Sequence, residues 1–300
     1  MSSDKKITLK RIIIYCFLAF LPLCVITPVL NVVNGGLIFE GNMLELPAFV
    51  SLYAGLSMLS PAVANILTRV ITKEGIKNSC LCLNFKGNLK YYLSSILVPL
   101  WYGFTGMILL FLVFCNGMSF DEIINADNMV VSISAISNSA SAAIFLIIPF
   151  FGEEFGWRAY LTPKMTELMP EPLAVLVSGI IWGLWHAPLT ASGHNFGTDY
   201  QLFPFLGIVM MCFMCSFLGA FLTVLTKRTG SVIPASIAHG VNNQAGTGIM
   251  LAAFEAHHTL VEKSESIISI FIVEIAPIVL VGIVSYIILI RDYLKDKKAI

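Results

Sequence analysis

Six residues in three short stretches have types and spacings that could cooperate in chemistry: Glu153, Glu154, Arg158, His186, His239 and Asn243. The stretches read Phe151-Gly152-Glu153-Glu154-Phe155-Gly156-Trp157-Arg158, then Trp182-Gly183-Leu184-Trp185-His186, then His239-Gly240-Val241-Asn242-Asn243. Glu154 and Arg158 are four apart with the acid on the N-terminal side, the order that favours an ion pair on one helix face. Glu153 lies about 100° around the same helix, so geometry leaves it as the free carboxylate of the two. A free carboxylate in a dry setting is suited to act as a base toward water. His239 and Asn243 are also four apart and point to one side of their own helix.

These groups stand out because their surroundings are apolar. The 300 residues are 57% hydrophobic and only 12% charged, with a mean hydropathy of +0.84. An ordinary soluble domain is about a quarter charged, so a water-soluble enzyme is excluded. A disordered chain is excluded too, since disorder needs low hydrophobicity and high net charge. The 18 basic and 18 acidic residues cancel, which argues against a nucleic-acid partner. The composition predicts an all-α integral membrane protein, multi-pass, with the lipid bilayer as its first partner.

A spanning helix needs about 20 mostly apolar residues. Eight stretches qualify: 12–33, 46–67, 91–114, 140–161, 172–190, 203–225, 232–254 and 267–290. The expected architecture is a bundle of about eight transmembrane helices forming one polytopic domain over residues 1–300. A β-barrel does not fit, because the apolar runs are continuous rather than alternating. The first run lacks a following small-residue cleavage site and reads as a retained span, not a removed signal peptide. Sorted by loop, every Lys and Arg except Lys263 falls on one side, and that excess predicts cytoplasmic N- and C-termini. Acids such as Glu40, Glu45, Asp121, Asp127 and Glu262 fall on the opposite side. The polar run Ser132–Ser139 reads as an interfacial segment rather than the start of the fourth span.

Charged groups inside a bilayer are costly and are functional by default. At 1.5 Å per residue, Glu153, His239 and Asn243 lie roughly 11 to 17 Å from the cytoplasmic ends of their spans. His186 lies roughly 21 Å deep by the same measure, within reach through tilt and side-chain length. Three helices can therefore present polar groups at a common level. Gly152 with Gly156, and Gly179 with Gly183, have the spacing that lets helices approach closely beside those groups.

Taken together, the Glu-Glu-x-x-x-Arg, x-x-x-His and His-x-x-x-Asn motifs, in this order and on these spans, resemble the CAAX protease and bacteriocin-processing (CPBP) family. That family is also called Abi or type II CAAX prenyl endopeptidases. Thr229-Gly-Ser-Val-Ile-Pro234 before the third motif is similar to the family's lead-in, and the family core would occupy about 140–254. The second motif departs from the usual pattern, with Trp182 where Phe is common, which would alter the shape of the pocket. The resemblance implies an intramembrane endopeptidase acting on a membrane-associated protein or peptide, prenylated or not. It implies that Glu153 with His186 activates water, and that His239 and Asn243 stabilise the oxyanion. Glu154 and Arg158 would then hold the helix and orient the base. No cofactor is expected. Zinc at Glu153, His186 and His239 is the competing arrangement, weakened by the lack of an H-E-x-x-H helix.

Other residues read more plainly. Glu274, inside the last span, either lines the cavity or pairs with an outer group. His194, His257 and His258 fall in outer segments and read as solvated. Cys212 and Cys215 have CxxC spacing within an apolar helix and read as packing. The alternative class is a non-catalytic membrane scaffold, an immunity protein or a transporter. Against a transporter, the polar residues cluster in one half of the chain and no two-fold repeat is evident. The multi-pass reading places the protein in the cell membrane.

Overall fold

A computed structural model describes residues 3–39, 47–114, 147–246, 268 and 271–298. The segment Ser132–Ser139, His257, His258, Lys263, residues 140–146 of the fourth expected span and residues 247–254 of the seventh lie outside the described residues. All regular structure among the described residues is helical. The elements are α1 (Ser3–Asn34), α2 (Ala48–Ser57), α3 (Ser60–Ile71), α4 (Leu89–Phe114) and α5 (Ile147–Gly156). A π-helical turn, Trp157–Leu161, joins α5 to α6 (Thr162–Thr166). Then follow α7 (Glu171–Trp185), α8 (Ala187–Thr190), α9 (Phe205–Thr229) and α10 (Ile233–Val241). Two further π turns, Asn242–Gly246 and Phe271–Ile275, precede α11 (Ala276–Lys298).

Four stretches among the described residues are long and apolar enough to cross a membrane: Ser3–Asn34, Ala48–Ile71, Phe205–Thr229 and Phe271–Lys298. Glu171–Trp185 is apolar but shorter. Large apolar side chains lie exposed along the outer faces, among them Phe17, Leu97, Ile148, Val209 and Val284. An aqueous protein rarely exposes so many, whereas lipid solvates them at no cost.

Two expected spans are interrupted where the site needs them to be. The second breaks between α2 and α3 at Met58–Leu59, just before Pro61, whose nitrogen has no proton to donate to Ser57. The fifth breaks at His186, the residue between α7 and α8, with Pro188 having the same effect on Leu184. Proline at the first turn is tolerated in α3, α7 and α10, where the missing donor would have had no helical partner.

α7 packs along α9, α9 along α11, and α1 along α3. α5 lies against α3 and α10, and α10 also against α4. The glycine pairs mark close approaches. A β-carbon on Gly152 would meet Met58 and Leu59, and one on Gly156 would meet Pro61 and the Tyr15 hydroxyl. Gly179 and Gly183 face the backbone of Ser216 and Cys212 on α9. Cys215 is buried in the core, which includes Tyr15, Trp157, Tyr160, Trp182, Trp185 and Leu222.

Candidate active site

α5 presents Glu153 and Glu154 to the interior, 2% and 0% exposed. The wide turn that follows carries Arg158 back beneath them. Its Nη1 donates to Glu154 Oε1 across 3.2 Å, and its Nε lies 3.1 Å from Oε2 as an ion-pair contact. The ion pair predicted by four-residue spacing is thus present. Asn65 of α3 donates to the Phe155 carbonyl across 2.7 Å. This bond ties the neighbouring helix to the point where α-helical hydrogen bonding gives way to the π turn. The guanidinium stacks on the Trp182 ring, 4.0 Å from its centre, with Gly219 of α9 leaving room beside Nη2.

Glu154 also meets the third motif. His239 Nδ1 donates to Glu154 Oε1 across 2.9 Å. Asn243 Nδ2 approaches His239 Nε2 at 3.4 Å, and Asn242 Nδ2 donates to Asn243 Oδ1 at 2.7 Å. Tyr102 of α4 completes the chain through its hydroxyl to Asn242 Oδ1. The donors run in one direction, from Tyr102 to Glu154. This polarity fits His239 carrying its proton on Nδ1.

Among the described residues Glu153 makes no ion pair, as its spacing from Arg158 implies, but it does have a hydrogen-bond donor. Trp182 Nε1 donates to its Oε2 across 2.6 Å, a contact that helical spacing along α5 cannot reveal because the donor comes from α7. His186, at the break after α7, bonds through Nδ1 to the Trp182 carbonyl at 2.9 Å. That carbonyl accepts only from an N–H, so the imidazole presents Nε2 as an acceptor.

Glu153, Trp182, His186, His239 and Asn243 line one cavity of about 760 Å³. Glu154 and Arg158 stand behind its wall, not on it. The three motifs are therefore together, with one carboxylate facing the cavity and the other supporting from behind. Glu274 lines the same cavity, which answers the choice left open by its sequence position. No Lys or Arg among the described residues lines it.

His194 departs from expectation. It lines the cavity, with Nδ1 buried and without a hydrogen-bond partner among the described residues. Burial pushes its pKa down to about 4, because a charged imidazole would lose its hydration there. Among the described residues, no three His, Cys, Asp or Glu side chains gather as a metal site. Cys212 and Cys215 are free thiols.

Sequence spacing missed three contributors. Trp182 carried a usable signal, since it lies one helical turn before His186 and its ring bears a donor. Tyr102 and Gly219 carried none, being a tyrosine and a glycine in spans without other polar motifs.

An apolar helical bundle with buried carboxylates, histidines and an amide around a shared cavity has the character of a membrane protein with a polar site. Residues 135–245, which contain all three motifs, match the family model described as type II CAAX prenyl endopeptidase Rce1-like. That segment is similar to the Rce1-like family, which the model describes as one of prenyl endopeptidases. No curated protein matches the chain.

Proposed function

We propose that the protein is an intramembrane endopeptidase in which Glu153 and His186 activate a water molecule against a peptide carbonyl. The observation that carries this reading is the convergence of Glu153, His186, His239 and Asn243 on a shared cavity. Glu153 takes the proton of the attacking water and the water oxygen bonds to the carbonyl carbon. The carbonyl oxygen becomes an oxyanion facing the Asn243 amide, a preorganised donor, which His239 holds through its Nε2. When the tetrahedral intermediate collapses, the carbon–nitrogen bond breaks and the proton held by Glu153 passes to the departing amine. Glu154 and Arg158 do not touch the reacting atoms in this scheme. They hold His239 and the α5 turn in place.

The substrate is a membrane-associated protein or peptide, and hydrolysis needs no metal. The catalytic core is about 140–254 within one polytopic domain of eight spans, with both termini cytoplasmic, in the cell membrane. In liposomes, wild type is expected to cleave a membrane-anchored fluorogenic peptide, either farnesylated or unprenylated, with cleavage surviving chelators. Glu153→Ala is expected to abolish cleavage at normal membrane accumulation. Cleavage retained by Glu153→Ala would overturn the mechanism, and loss of activity after metal stripping that zinc restores would overturn metal independence.

A further inference from the structure

Trp182 touches four of the six candidate residues. Its indole N–H donates to Glu153, its carbonyl accepts from His186, its ring lies under Arg158 and edge-on to His239 at 5.3 Å. We propose that Trp182 is the positioning residue of the site. Its side chain holds Glu153 with one oxygen turned to the cavity, and its backbone holds His186 with Nε2 turned to the same space. This rests on the reading of Glu153 and His186 as the water-activating pair.

The chain offers its own comparison. Trp157, Trp182 and Trp185 are all buried in the core. A buried indole normally finds an acceptor, and here the three fare differently. Trp185 Nε1 bonds to the Ala19 carbonyl at 3.0 Å, and Trp157 Nε1 has no partner among the described residues. Trp182 alone of the three meets a carboxylate, at a distance short enough for a charge-assisted bond. Arg158, the nearest guanidinium, is committed to Glu154 and to the face of the Trp182 ring. Trp182 is thus the donor that fixes Glu153, while the cation that could have neutralised the base is held one carboxylate away.

Phenylalanine at position 182 keeps a ring for Arg158 and His239 but removes the donor. Benzothienylalanine keeps the bicyclic shape as well, with sulfur in place of N–H. A misplaced catalytic group costs on the order of 10²-fold in rate. Both variants are therefore expected to lower kcat about 10- to 100-fold, with KM and detergent melting temperature near wild type. The probes are the farnesylated and unprenylated fluorogenic peptides in liposomes. A spectroscopic arm reads the bond directly, since the four tryptophans give four indole N–H signals in 15N-labelled protein. W182F assigns the Trp182 signal by deleting it. Glu153→Ala should move that signal upfield and leave the Trp101 signal in place. Wild-type kcat in either variant, loss of kcat matched by a raised KM, or a Trp182 signal unmoved by Glu153→Ala would overturn the proposal. Cleavage retained by Glu153→Ala, or no cleavage of either peptide by wild type, instead sinks the protease reading and the positioning role with it.

Discussion

His239 and Arg158 reach the same oxygen of Glu154: Nδ1 of the histidine lies 2.9 Å from Oε1 and Nη1 of the arginine 3.2 Å. A carboxylate with no exposed surface therefore joins α10 to the turn after α5. Its neighbour Glu153 has a single indole donor and a face on the cavity. Two adjacent acids have been given opposite duties by what the tertiary fold brings to each.

The two acids should consequently differ in their effect on stability. Glu154→Ala strands a buried guanidinium and is expected to cost about 3–5 kcal/mol. Glu153→Ala leaves only an indole N–H without its acceptor and should cost about 1–3 kcal/mol. Thermal unfolding of the detergent-solubilised variants measures the order, and equal or reversed losses would contradict the division of roles.

Gly183 and Gly219 shape the site by what they lack. A β-carbon on Gly183 would run into the Cys212 backbone, and one on Gly219 would sit 3.0 Å from Arg158 Nη2. Gly183→Ala must part α7 from α9, with an expected destabilisation of about 1–3 kcal/mol. Gly219→Ala meets only the tip of a side chain and should cost less, while lowering activity by displacing Arg158. Parallel melting and cleavage assays separate the two, and a Gly183→Ala protein as stable as wild type would refute the packing argument.

Tyr102 terminates the donor chain that runs through Asn242 and Asn243 to His239. Tyr102→Phe removes one hydroxyl and keeps the ring. The loss of a bond worth about 1 kcal/mol predicts a kcat lowered roughly fivefold, with KM unchanged. Turnover at the wild-type rate would show that Asn243 is set without the chain.

On the basic side, Glu74 gathers Lys164 Nζ at 2.5 Å, Arg11 Nε at 3.4 Å and the Tyr160 hydroxyl at 3.0 Å. Burial alone would raise its pKa, but the hydrogen bond and charge of Lys164, with Tyr160 and Arg11, outweigh it and hold the carboxyl below its ordinary value. A depressed carboxylate contributes its stabilisation fully above the ordinary glutamate pKa of about 4.3 and loses it as pH falls through the folded value. The melting temperature should fall on acidification below about pH 4, and Glu74→Gln should flatten that fall while lowering stability at neutral pH. An unchanged acid slope in Glu74→Gln would remove this cluster from the account.

Local sequence was enough for the class and for the motifs. Hydropathy over 20-residue windows reports the solvent of a segment, and four-residue spacing reports which side chains share a helix face, so the apolar helices and the Glu154–Arg158 pair were legible. The glycine pairs were legible as close contacts because only a missing side chain lets backbones meet. What could not be read was which side chain of one helix meets which side chain of another. The indole that holds Glu153 comes from α7, and the hydroxyl that ends the donor chain comes from α4. Gly219 on α9 provides the space beside Arg158, and His194 lines the cavity. Spacing along one helix is fixed by 3.6 residues per turn, but which helix faces which depends on packing summed over the whole bundle. Helical spacing along α5 thus separated the paired acid from the unpaired one, whereas the donor that holds Glu153 came from a different helix and emerged only with the packing.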